Sequence, residues 1–196
     1  MVKLKSICKG LIHCIVCLLV VSFSVSARAA ISNGNPKSNI TIVEFLDYQC
    51  PHCRLMTNTL NQVIQQHSDI RILYKPVPLL NQASWLESQA VLAAHYQKKS
   101  ELMQSCLMKM SVTRDLDSIY RCSKWAGTNK QQLVQDMKKP AIQQELMQNI
   151  QDFQAIQGVG LPTLLVGKTH AAMPMFRFTG EITIKNLQYA IQQLKP

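Results

Sequence analysis

Ile40-Thr41-Ile42-Val43-Glu44-Phe45-Leu46-Asp47-Tyr48-Gln49-Cys50-Pro51-His52-Cys53 is the stretch whose reading decides the fold. Of its first eight residues all but Glu44 and Asp47 are β-branched or apolar, and the run reads as a strand that Glu44 interrupts. From Arg54 to His67 apolar residues recur at Met56, Leu60, Val63 and Ile64, a helical period. Pro51 suits the first helical position, where its missing N–H costs nothing. The two cysteines therefore stand where a strand hands over to a helix. Cys50 meets the unpaired N–H groups and positive end of the helix dipole, which favour a thiolate. A stabilised thiolate attacks well and leaves well, as thiol–disulfide exchange requires. Cys50 is expected to be the exposed attacking sulfur, and Cys53, one turn in and more buried, the resolving one. His52, between them, can bring an imidazolium or an N–H to the Cys50 sulfur. The alternatives for this pair are an inert disulfide or half of a zinc site, and no second Cys or His cluster completes such a site.

The N-terminus supplies a compartment. Lys3, Lys5 and Lys9 precede an apolar run of roughly fifteen residues, Leu11 to Val25, followed by Ala27-Arg28-Ala29. This order reads as a secretory signal peptide over residues 1–29, with the mature chain from residue 30. The run is short for a bilayer span of about twenty residues, so an uncleaved anchor is the weaker reading. A lipid-attachment site fits less well, since Cys14 follows His13 and Cys17 follows Val16. Cleavage removes Cys8, Cys14 and Cys17 and leaves Cys50, Cys53, Cys106 and Cys122. That is an even number, in a compartment where disulfides persist. A Cys106–Cys122 bridge in the helical block would be structural; the other reading is a second redox centre. The chain carries 21 basic and 11 acidic residues. Four of the basic ones leave with the leader, and no arginine-rich stripe with interleaved aromatics points to nucleic acid.

Beyond the first helix the chain reads as a strand from Ile70 to Lys75, stopped by Pro76 and Pro78, and then as helices over about 80–157. Leu86, Ala90, Ala93 and Ala94 give one apolar face, and Ile142, Leu146, Ile150, Phe153 and Ile156 another. Gly158-Val159-Gly160-Leu161-Pro162 ends the block. Thr163 to Val166 and Met175 to Thr179 read as strands, and Ile184, Leu187, Ile191 and Leu194 mark a closing helix. The expected fold class is α/β: a βαβ start and a ββα finish around a helical insertion, a thioredoxin-like fold in one domain. Only about ten residues separate the expected cleavage site from the first strand, too few for an N-terminal dimerisation module.

Val43-Glu44-Phe45, Cys50-Pro51-His52-Cys53, the helical insertion and Gly158-Val159-Gly160-Leu161-Pro162-Thr163 together resemble the DsbA family of bacterial periplasmic disulfide oxidoreductases. The resemblance covers essentially the whole mature chain. It implies an exported enzyme that donates its Cys50–Cys53 disulfide to unfolded or folding exported proteins, using no cofactor beyond that disulfide. A membrane quinone-linked protein would reoxidise it. The resemblance also implies that Pro162 is cis, and that Leu161 pairs its backbone with an extended client segment. Glu44 would lie beneath the cysteines and manage the proton of Cys53, with Lys75 as a possible partner; the alternative is an edge strand with Glu44 in water. Leu161 departs from the valine or threonine usual at its position. The Pro-His dipeptide, which resembles the oxidising subtype, together with the lack of room for a dimerisation module upstream, favours an oxidase acting as a monomer over an isomerase or reductase. A separate reading, a copper chaperone, rests on the CxxC and on Met103, Met108, Met110, Met173 and Met175; methionine more often fills core gaps.

Overall fold

The computed structural model describes residues 31–110 and 116–195; the leader read over residues 1–29 lies outside them. Strand β2 (Ile40–Leu46) is the centre of a five-stranded sheet of order β1-β3-β2-β4-β5. It pairs in parallel with β3 (Ile70–Pro76) and antiparallel with β4 (Thr163–Lys168). Flanked on both edges, β2 needs residues that bury on both faces, and its near-continuous apolar run supplies them. Helix α1 (Pro51–Gln66) sends Met56, Leu60 and Val63 into the core that holds Ile42, Leu46, Ile70 and Ile72. The opposite face, around Phe45, packs against Phe153 of α6 (Pro140–Ala155), with ring centroids 5.6 Å apart.

The outer strands are β1 (Ile31–Gly34), antiparallel to β3, and β5 (Phe176–Thr179), antiparallel to β4. Strand β1 is not legible in the sequence. Ser32, Asn33 and Gly34 show no apolar alternation, and the strand exists because Ile31 is buried and its backbone finds the free edge of β3. The first strand therefore begins at residue 31, nearer the expected cleavage site than the pattern implies.

Helices α2 (Gln82–His95), α3 (Ser100–Lys109), α4 (Asp117–Ala126), α5 (Lys130–Asp136) and α6 fill the interval between β3 and β4. Helix α2 starts on a capping box in which Asn81 and Ser84 satisfy each other's backbone N–H groups. Its Ala90, Val91, Leu92, Ala93 and Ala94 are all buried, and the same apolar cluster runs from the sheet through Met103, Leu107, Ile119, Leu133 and Leu146. The helical insertion thus shares one core with the sheet. Cys106 of α3 and Cys122 of α4 are joined by a disulfide, with Cα atoms 5.5 Å apart. Met103 and Met108 are buried beside it and Met110 places its sulfur 3.2 Å from Cys122 Sγ, whereas Met173 and Met175 are exposed.

The chain leaves α6 through Gln157, at φ 54°, and Gly158, then enters β4 by way of a cis Leu161–Pro162 bond. A Cβ on Gly158 would fall 2.2 Å from the Phe153 ring. Arg177 of β5 closes the corner by donating to the carbonyls of Ile156 and Gln157 at 2.5 and 2.8 Å. Gly158→Ala must push the Phe153 ring off Phe45, and urea unfolding should show a loss of about 1–3 kcal/mol.

Candidate active site

The segment Asp47–Cys50 turns the chain from β2 into α1, and one carboxylate organises it. Asp47 is fully buried. Its Oδ1 accepts the Gln49 N–H at 2.8 Å, and its Oδ2 accepts the N–H groups of Leu79 and Leu80 at 2.9 and 3.1 Å. The Asp47 carbonyl accepts the Cys50 N–H at 3.0 Å. Gln49 in turn donates to Glu87 of α2 at 2.8 Å, and Ser118 of α4 donates to the same carboxylate at 3.2 Å. Arg54, one residue past Cys53, donates to the carbonyls of Tyr48, Leu107 and Met110. Through these contacts the turn is tied to three helices of the insertion. Sequence reasoning missed Asp47, Gln49, Arg54 and Glu87. Only Asp47, at a strand end before a turn, carried a local signal.

Cys50 is the N-cap of α1, in extended conformation, with Pro51 in the first turn. Both cysteines are free thiols. Cys50 was expected to be exposed, and here the structure corrects the reading: the residue is only 6 % accessible. The cause is the cis-proline loop, whose Leu161 carbonyl lies 3.7 Å from Cys50 Sγ. Leu161 precedes β4 and lies outside the paired sheet ladder, so the structure brings its backbone to the sulfur with Pro162. Cys53 is completely buried.

The two thiols are electrostatically unlike. The Cys53 thiol hydrogen-bonds to the Cys50 sulfur, and the N–H groups of Cys53 and His52 with the His52 charge add to that effect. Against the opposing cost of burial, Cys50 falls from 9.0 to about 6. Cys53 is pushed far up by the same shared hydrogen bond, by burial and by Glu44. The neighbouring sulfur is therefore the largest cause, ahead of the imidazole and helix end that the sequence suggested. His52 itself is exposed. Its Nδ1 lies 2.5 Å from Glu181 Oε1, and that hydrogen bond raises its pKa.

Glu44 occupies the central strand, fully buried, and neither carboxylate oxygen has a hydrogen-bond partner among the described residues. Burial first, and the Cys50 charge second, raise its pKa well above the usual carboxylate range. The edge-strand alternative is excluded, because β2 is paired on both sides. The Lys75 pairing is also corrected. In the parallel register Lys75 stands opposite Phe45, and Tyr74 opposite Glu44. Side-chain alternation thus sends Lys75 to the other face, where its Nζ meets Asp152 at 2.5 Å. No cluster of three or more His, Cys, Asp or Glu side chains suited to a metal exists among the described residues.

A Cys-Pro-His-Cys turn on a thioredoxin-like sheet, faced by a cis-proline loop, defines a thiol–disulfide oxidoreductase. The DSBA-like thioredoxin domain model matches residues 41–192, and the chain belongs to that family of protein-disulfide oxidoreductases, which work through redox-active cysteines and a reoxidising partner. Among solved structures, the chain is similar to a thioredoxin-like oxidoreductase from Silicibacter pomeroyi DSS-3 (28% identity, TM-score 0.77, covering 84% of this chain and 91% of that one). It is also similar in fold to the thiol-disulfide exchange protein alpha-DsbA2 from Wolbachia pipientis (22%, TM-score 0.76, 85% and 87%). A third likeness is to a periplasmic thioredoxin-like protein from Salmonella enterica serovar Typhimurium (20%, TM-score 0.75, 86% and 91%). No curated protein matches the chain.

Alkylation of the reduced protein should rise with pH through a midpoint at about 6 and modify Cys50 alone. Because its folded pKa is depressed, ionised Cys50 stabilises the reduced protein fully above the unfolded value of 9.0, and the contribution disappears as pH falls through the folded value of about 6. Reduced wild type compared with Cys50→Ser in urea at several pH values checks that sign. For Glu44, whose pKa is raised, the sign is opposite: stability is lost as pH rises through the folded value. Glu44→Gln should therefore reduce the loss of stability that sets in as pH rises above the ordinary carboxylate value of 4.5. It should also slow the opening of the Cys50–Cys53 disulfide by about tenfold in stopped-flow exchange.

Proposed function

We propose that this chain is an exported dithiol oxidase that donates the Cys50–Cys53 disulfide to folding secreted proteins. The reading rests on the asymmetry of the two cysteines: Cys50 caps α1 beside the Leu161 carbonyl and is lowered to about 6, whereas Cys53 is completely buried one turn in and is held far above the ordinary thiol range. A client thiolate attacks Cys50 Sγ of the oxidised enzyme, forming a mixed disulfide and expelling the Cys53 sulfur. That sulfur is a strong base in a dry site and takes up a proton, for which the neutral Glu44 carboxyl is the buried acid. A second client thiolate then attacks the client sulfur of the mixed disulfide and releases Cys50 as a thiolate. Two electrons have passed from client to enzyme. A low-pKa leaving group makes that last step favourable and the enzyme disulfide oxidising.

Leu161 and Pro162 form the substrate-binding edge in this reading, the Leu161 backbone pairing with an extended client segment beside Cys50. Pro51 and His52 support the Cys50 thiolate. The Cys106–Cys122 bridge has a structural role, clamping α3 to α4 behind the Arg54 contacts. Residues 1–29 serve as a cleaved signal peptide, residues 30–196 as one domain, and the enzyme works as a periplasmic monomer. A membrane quinone-linked protein returns Cys50 and Cys53 to the disulfide. Support for the compartment comes from the basic–apolar–small order of the leader and from the periplasmic relative described above.

Equilibration of the pure protein with glutathione buffers, with thiols mapped by mass spectrometry, tests the oxidase reading. An oxidase should be half-reduced at a potential near −120 mV, whereas a value near −270 mV, in the thioredoxin range, marks a reductant and overturns the reading. The Cys106–Cys122 bridge should stay closed throughout.

A further inference from the structure

Glu181 has no local sequence signal beyond being an acid in a turn, yet it reaches the disulfide site. It lies on the short connection between β5 and α7 (Ile184–Gln192), and both ends of that connection are pinned. On one side Gly180, at φ +82°, turns the chain out of β5 and donates its N–H to the Pro162 carbonyl at 2.8 Å. On the other, Thr183 caps α7 by accepting the Asn186 N–H at 3.2 Å. So held, the Glu181 carboxylate accepts a hydrogen bond from His52 Nδ1 at 2.5 Å. Three segments consequently ring the reactive sulfur. The start of α1 carries Cys50 and His52, the cis-proline loop sets the Leu161 carbonyl against Cys50, and the β5–α7 turn joins that loop to His52.

We propose that Glu181 is a positioning residue of this site: its carboxylate fixes the orientation and the charge of the His52 ring beside Cys50. The inference rests on the disulfide-exchange function of the site. A surface ion pair alone contributes little to stability, and both side chains here are substantially exposed. The consequence lies instead in the reaction. The charged groups acting on the ring are Glu181 from the turn and Cys50 on its own helix. The ring charge in turn is one of the influences that favour the Cys50 thiolate. A second anion close to a thiolate would by itself oppose ionisation. Routed through the imidazolium, Glu181 does the reverse, and so the sign of its effect separates the two routes.

The test is a double-mutant cycle on the reduced full chain: wild type, Glu181→Gln, His52→Ser and both together. The readouts are the His52 titration by NMR and the redox equilibrium with glutathione. Glu181→Gln should lower the His52 pKa and shift that equilibrium about threefold toward the enzyme disulfide, making a weaker oxidant. In the His52→Ser background the same change should shift nothing. The proposal is overturned by an unmoved His52 titration, by a shift toward a stronger oxidant, or by a shift that survives without His52. If wild type itself poises as a reductant, the oxidase assignment fails; the cycle still reads the role of Glu181 independently.

Discussion

Two chemically identical thiols, one turn apart, are made unlike by a single shared hydrogen bond, and the site's chemistry follows from that inequality. The proton they share belongs to Cys53, because Cys53 is buried in an apolar core above the Glu44 carboxyl and ionising it there is costly. Cys50, given that hydrogen bond and two backbone N–H groups, carries the negative charge instead. A dithiol divided in this way has a designated leaving group and a designated resolving group. The rest of the fold keeps the division from relaxing. Asp47, Gln49, Glu87 and Arg54 hold the turn against the insertion, while β2 holds Glu44 where water does not reach it.

The helical insertion is accordingly more than a decoration on the sheet. Arg54 fastens the first turn of α1 to carbonyls at the end of α3, next to the α3–α4 disulfide. Gln49 and Ser118 meet on one buried carboxylate from α2. Burial of Glu87 raises its pKa, so this network depends on the insertion staying packed against the active-site turn. The apolar cluster that continues from the sheet into α2–α5 supplies that packing.

The methionines illustrate how a compositional hint is decided by placement. Met103 and Met108 fill the core around α3, and Met110 lies against the disulfide. Met173 and Met175 are exposed on the segment before β5, where a Cβ on Gly167 would approach the Pro174 backbone at 3.1 Å. The two groups occupy different parts of the molecule, and packing accounts for the first of them.

The sequence by itself determined the βαβ start, the helical insertion, the ββα finish and the position of Cys50 and Cys53 at a helix start. Each of these follows from local periodicity, from proline placement or from adjacency along the chain. It also made Glu44 conspicuous, since a carboxylate in an apolar run demands an explanation. Strand β1 escaped, because an edge pairing on β3 compensates for a polar, glycine-ended segment. The partner of Lys75 escaped because a one-residue difference in register sends a strand side chain to the opposite face. Cys50 proved buried, and Glu181 proved to be the partner of His52, because those contacts join residues more than a hundred positions apart. Pairwise geometry of that kind arises only when the chain has closed on itself, and no local pattern encodes it.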